Sequence, residues 1–217
     1  MVNAKSPIVD VYFSMQSDYC YFLIDRLLSL EKRGVTVNIR PVLGGVLRLP
    51  ERYKDRGDLE ADYFCADSKR TAAYLGLPHT FPDPSPIEFE PGSLWIAKSD
   101  QPRNEMLNRL FVGAVLAGHG MAFLDNVIRR LWDGSSPAWD AGETLSGLIE
   151  GAGMDCDTVL TAMSWDRAKP ILDANARAMS AAGHWGVPLM VFEGEPFYGQ
   201  DRFDQLVWQM KNKGVLA

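Results

Sequence analysis

The chain has 217 residues, 47% of them apolar and 23% charged, with a formal net charge of −6 at neutral pH. This is ordinary globular composition, with enough apolar side chains for a sizeable core in one large domain or one domain carrying an insertion. The acidic balance argues against nucleic acid or an anionic membrane surface as the main partner. No apolar run reaches the ~18 residues of a membrane span, and Met1 to Pro7 lack the apolar stretch of a secretory signal. Cys20, Cys65 and Cys156 are odd in number and widely spaced. They suit neither a disulfide framework nor a metal cluster, and a reducing cytoplasm is the expected setting.

In chain order, Ile8 to Phe13 reads as a buried strand. From Tyr19 to Leu30 the apolar residues Tyr19, Phe22, Leu23, Leu27 and Leu30 recur at three and four, which predicts an amphipathic helix. Gly34 stands where a helix ends in a left-handed residue. Val35 to Arg40 alternates and is rich in β-branched residues, giving a second strand and so a βαβ unit with a parallel pair. Helices are expected over roughly 59–75, 103–118, 121–132, 143–151, 155–163 and 167–181, with a Pro-rich loop (Pro78 to Pro91) between the first two. Strand character returns at 189–193. Glu193-Gly194-Glu195 reads as a tight turn, Pro196-Phe197-Tyr198 as a returning strand, and 201–212 as a closing helix with Leu206, Val207 and Met210 on one face. A βαβ unit, a helical insertion and a ββα unit follow one another in the order of a thioredoxin-like α/β fold. The expected division is 1–44 with 166–217 as the thioredoxin-like domain, and 45–165 as an all-helical insertion.

The chemistry concentrates where the strands end. Ser17 heads the first helix, where unpaired N–H groups and the macrodipole stabilise an anion. A hydroxyl there can donate to a thiolate, and it cannot form a disulfide, so the position suits binding another molecule's thiol. Ser is also a preferred N-cap, which is the plainer reading of the local sequence. Cys20 has the helical spacing of a buried apolar thiol relative to Leu23 and Leu27. Val187-Pro188 precedes the third strand; a cis bond there would leave the Val187 backbone to pair with an extended ligand, and a rigid turn into an edge strand is the alternative. Gln200-Asp201-Arg202 opens the last helix, as a cap or as the binding group of a zwitterionic ligand. Tyr19, Tyr53, Trp95 and Trp185 are candidates for an aromatic pocket, each individually also suited to the core. His79, His119 and His184 have no metal-ligand spacing, and nothing pairs them with Ser17 as a hydrolase triad.

Three signatures carry a resemblance. They are Phe13 to Tyr21 with Ser17; Asp67, Arg70, Ala72 and Gly76-Leu77-Pro78; and Gly183-His184-Trp185-Gly186-Val187-Pro188 followed by Phe197-Tyr198-Gly199-Gln200-Asp201-Arg202. In this order they resemble the 2-hydroxychromene-2-carboxylate isomerases, relatives of the kappa-class glutathione transferases and the DsbA-like proteins. The resemblance implies glutathione as cofactor, with Ser17 as the catalytic residue at its sulfur. It implies that Val187 and Pro188 meet the cysteinyl backbone and that Gln200, Asp201 and Arg202 hold the γ-glutamyl end. Tyr19, Tyr53 and Trp185 would line the substrate pocket. The implied reaction is reversible thiolate addition to an aromatic or chromene carboxylate, in a homodimer without nucleic-acid or membrane partners. Two positions depart from the pattern: Ser14 and Asp18 stand where the family has Asp and Pro, and Gly44 to Pro50 replaces an Asn-Pro-Pro-like segment. Kappa-like conjugation, DsbA-like thiol oxidation through Cys20, and non-catalytic binding are the rival readings.

Overall fold

The computed structural model describes residues 6–216. Strand β1 (Ile8–Phe13) pairs in parallel with β2 (Thr36–Pro41), from Ile8 opposite Thr36 to Phe13 opposite Pro41. On its other side β1 pairs antiparallel with β3 (Leu189–Phe192), which pairs antiparallel with β4 (Glu195–Tyr198). The order β2-β1-β3-β4 is the thioredoxin-like arrangement expected from the strand signals. Alternation places Val9, Val11 and Phe13 in the main core, while Tyr12 joins Val42, Met179 and Leu189 in a second cluster. Between β3 and β4 the two-residue turn has φ of 50° at Glu193 and 84° at Gly194, the positive values that a primed hairpin turn requires. Pro41 and Pro196 lie in the two edge strands, where a missing N–H is tolerated.

The helix expected from Tyr19 to Leu30 is two helices, α1 (Asp18–Tyr21) and α2 (Ile24–Lys32), with a turn at Phe22 and Leu23. Cys20 to Ile24 are all buried. A straight surface helix exposes part of any five consecutive residues, so the break is what lets this run enter the core. Gly34 takes φ 84° just past the end of α2, as its position predicted.

The middle of the chain is helical, close to the expected spans. α3 (Gly45–Arg48) and a 3-10 turn at Pro50–Arg52 were not expected. They are followed by α4 (Asp58–Leu75) and α5 (Pro102–Leu116). Next come α6 (Gly120–Phe123), a π turn at Leu124–Ile128 and α7 (Arg129–Trp132) in unbroken succession. α8 (Gly142–Gly151), α9 (Cys156–Ala162) and α10 (Trp165–Ala181) precede β3, and α11 (Phe203–Asn212) closes the fold after a 3-10 turn at Gln200–Arg202. α5 packs against β2, α9 and α10. Its Phe111 stacks on Phe123 at 5.2 Å and meets Phe13 edge-on at 6.0 Å, so one hydrophobic core runs from the sheet into the helices. Trp132, at the end of α7, donates its indole N–H to the Met15 carbonyl at 3.0 Å and so fixes the loop that carries Ser17. Among the described residues no helix is long and apolar enough to cross a membrane.

Gly113 on α5 marks the closest approach to α9: a Cβ there would stand 2.5 Å from Val159 Cγ1. Val159 is stiff at its branched Cβ and cannot swing clear. Gly113→Ala is therefore expected to destabilise the protein by about 1–3 kcal/mol, read as a lowered Tm. An unchanged melt would contradict this α5–α9 packing.

Candidate active site

β1 delivers the chain into a short loop, and Ser17 takes an extended conformation (φ −115°, ψ 120°) at the N-cap position of α1. Its carbonyl accepts the N–H groups of Cys20 and Tyr21 at 3.1 and 3.2 Å, but its hydroxyl makes no capping bond. The cap position expected from sequence is therefore occupied, with the hydroxyl turned to the Cys20 thiol instead of a backbone N–H. Cys20 is fully buried beneath it. Burial pushes its thiol up to about 12, against the opposing pull of the Ser14 N–H (3.4 Å) and the Ser17 hydroxyl. A thiol held so far from ionisation is a poor nucleophile, which fits the apolar reading of Cys20 and weakens its use in disulfide chemistry.

Facing Ser17 across a cavity is the loop before β3. The Val187–Pro188 peptide bond is cis. The Pro188 carbonyl accepts the Gly199 N–H at 2.9 Å, whereas among the described residues nothing hydrogen-bonds the Val187 amide or carbonyl. The loop is held by close packing. Gly186 donates to His184 Nδ1 at 2.8 Å, and a Cβ on Gly186 would collide with the rings of Tyr198 and His184. Arg48 of α3 ties this loop to the one after β2, donating to the Leu43 carbonyl at 2.7 Å and the Trp185 carbonyl at 3.0 Å. Among the described residues no carboxylate lies within ion-pair distance of this guanidinium, and burial lowers its pKa.

The cavity encloses about 1150 Å³, above the usual range for a single small ligand. Ser17, Tyr19, Tyr53, Trp95, Trp185 and Val187 all line it, so these six predicted residues come together. Tyr19 is less free than expected: its hydroxyl donates to Asp67 at 2.6 Å, and burial with this carboxylate raises its pKa. Tyr53 stacks on Trp95 at 6.0 Å and meets Trp185 edge-on at 6.5 Å. The Arg56 guanidinium lies over Tyr53 and Trp95, and that of Arg52 over Trp185. Pro188, Gln200, Asp201 and Arg202 do not line the cavity. Gln200 is engaged by Arg26, which donates to its backbone carbonyl at 2.7 Å and its Oε1 at 3.1 Å. Asp201 and Arg202 pair with each other at 2.9 Å in a half-exposed position. They follow directly on the Gly199–Pro188 link, in the 3-10 turn after β4.

Sequence reasoning did not single out Arg48 or Arg56. Their signal was the spacing Arg48-Arg52-Arg56 around Tyr53, visible only once the segment is known to curl against Trp185 and Trp95. It also left the direction of Asp18 open, and the structure turns that side chain inward. Asp18 is 0% exposed. Its Oδ1 accepts the Tyr19 N–H at 2.8 Å, its Oδ2 accepts the hydroxyl of Ser68 on α4, and His79 Nε2 stands 3.7 Å from the same oxygen.

The match to a family model decides the wider identity: the DSBA-like thioredoxin domain spans residues 8–211. The chain belongs to this family. A search of curated proteins gave no match. Among solved structures, a 2-hydroxychromene-2-carboxylate isomerase is similar at 24% identity and a TM-score of 0.69, with 94% of this chain and 95% of that one covered. A probable DsbA oxidoreductase from Streptomyces coelicolor follows at 20% identity and 0.63, covering 95% and 90%. The cytosolic disulfide reductase DsbM from Pseudomonas aeruginosa, solved with GSH, stands at 17% and 0.55, covering 94% and 99%. At these identities the neighbours share the fold.

Within this DsbA-like frame Asp18 is energetically unusual. Burial lifts its carboxyl from the ordinary value to about 6, outweighing the hydrogen bonds from Ser68 and Tyr19 that favour the anion. Because the folded value lies above the unfolded one, the native state binds more protons than the unfolded chain between about pH 4 and 6. Stability is therefore lost as pH rises through this window, by up to about 3 kcal/mol for a rise of about two pH units. Asp18→Asn should raise Tm near pH 7, with the gain shrinking toward pH 4. Thermal melts across that range check it, and a variant less stable at neutral pH would contradict the assignment.

Proposed function

We propose that the protein is a glutathione-dependent isomerase of an aromatic or chromene-type carboxylate, with a small aromatic molecule as its substrate. The observation that carries this reading is a serine, not a cysteine, at the head of α1, facing the unpaired backbone of Val187 across an aromatic cavity. The residues fit a thiol tripeptide. The Val187 amide and carbonyl can pair with an extended peptide backbone, and buried Gln16 Nε2, in the cavity wall, has no partner among the described residues. When bound, glutathione supplies a thiolate able to add reversibly to a conjugated substrate and leave again.

The chain's own residues have separate tasks. Ser17 donates its hydroxyl to the sulfur and favours the anion. Gln200 and Asp201, with Arg202, are assigned the γ-glutamyl group, which would take them from their present partners, Arg26 and each other. Tyr53, Trp95 and Trp185 offer flat apolar walls for a ring. Arg48 offers a cation without a carboxylate partner, suited to the substrate's carboxylate. The DsbM structure solved with GSH supports the reading by fold alone. Release of the conjugate instead of its reversal would make the protein a kappa-like transferase with the same residues, and the mass of the product separates the two.

Ser17→Ala is expected to lower kcat by about 10²–10³-fold, the usual loss for one donor to a developing anion, while the melt stays unchanged. Unchanged turnover would remove Ser17 from the chemistry. Arg48→Gln should raise KM for carboxylate substrates about tenfold or more and leave glutathione affinity, measured by calorimetry, as it is. Loss of both together would assign Arg48 to loop architecture alone.

A further inference from the structure

The Asp18–His79 pair is a buried acid–base couple, its carboxylate carried by the residue next to Ser17. The His79 side chain is 4% exposed, and its Nε2, 3.7 Å from Asp18 Oδ2, has no hydrogen-bond partner among the described residues. An aromatic cage holds the ring in place. Trp132 is stacked at 5.9 Å with 10° between planes, and Phe22 and Phe81 lie at 5.3 and 5.2 Å. The imidazole is thereby aimed at the carboxylate of the residue that follows Ser17. The other groups bearing on the couple push the same way or are committed elsewhere. Burial, then Lys69, favours neutral His79, and burial, with a smaller push from Asp67, raises Asp18. Tyr19 spends its hydroxyl on Asp67, and Ser68 is a neutral donor. Near neutral pH, above the Asp18 value of about 6, the couple is still mostly deprotonated, with two acceptors in one enclosure.

We propose that Asp18 and His79 are the proton acceptor of the thiol site, taking up one proton when a thiolate is held at Ser17. The proposal rests on the glutathione reading above. Two anions brought together in a buried site cannot both remain charged without a compensating proton. As the ligand's S–H bond breaks, its electron pair stays on sulfur. The proton ends on Asp18 Oδ2 or His79 Nε2, and the net charge of the complex is unchanged. When the thiol is re-formed the proton returns. Asp18 and His79 act in this scheme as one titrating unit, and Ser68 positions the carboxylate without accepting a proton itself.

The test is calorimetric titration of glutathione near neutral pH in buffers of different ionisation enthalpy, with ultraviolet absorbance to count the thiolate formed. Wild type is expected to form thiolate with no net proton released to the buffer. Asp18→Asn and His79→Phe should release about one proton per thiolate, or bind glutathione as the neutral thiol. Ser68→Ala, which keeps both acceptors, should retain the uptake. A purely structural role for the pair would alter affinity but not this stoichiometry. Release of one proton per thiolate by the wild type, or an uptake that survives both Asp18→Asn and His79→Phe, overturns the proposal and leaves the glutathione site standing. No binding heat in the wild type overturns the glutathione reading and this proposal with it.

Discussion

The site depends on the antiparallel pairing of β1 with β3. Tyr12 opposite Leu189 is the last pair of that ladder. One strand leaves it toward Ser17, and the other has just come from Val187 and Pro188. Two segments at opposite ends of the chain thus face each other because the register of one ladder puts them there. A shift of one residue would turn every side chain of β3 to the other face. It would also move the Val187 backbone away from the serine. The core does the rest: Trp132 braces the Met15 carbonyl on one side, and Arg48 braces the Trp185 carbonyl on the other.

Much of this was legible in the sequence, for identifiable reasons. β2 announces itself through β-branched alternation, β1 and β3 through short apolar runs, and the long helices through their periodicity. Ser17 and Val187 could be named because they sit at the ends of such elements. The break at Phe22–Leu23 was not legible, because five buried residues in a row keep the same spacing in a bent helix as in a straight one. α3 and the 3-10 turn at Pro50–Arg52 are too short to have a period, so Arg48 stayed hidden. The Asp18–His79 contact joins residues far apart in sequence, and no local pattern encodes it. Gln200, Asp201 and Arg202 follow β4 as the sequence order indicated, but they lie outside the cavity lining, and their partners, Arg26 and each other, are tertiary facts.

The energetics of the site follow one theme, the restraint of charge. Cys20 is buried until it is effectively neutral, Tyr19 is tied to Asp67, and His79 is caged in aromatic rings. Asp18 is left at a value within reach of neutral pH, at a loss of stability that an amide would avoid. Stability surrendered next to a reactive position is a common mark of function. Here it coincides with the head of α1 rather than with the wider cavity wall.

Arg48 has a consequence for how such a protein can diversify. One guanidinium both ties the loop after β2 to the loop before β3 and presents its charge to the cavity. Cavity charge and loop alignment therefore share a single side chain and cannot drift independently. Lysine at this position would keep the charge but lose the forked, planar donor set that reaches two carbonyls at once. A lineage that discards the charge from this cavity would first need a second brace between Leu43 and Trp185.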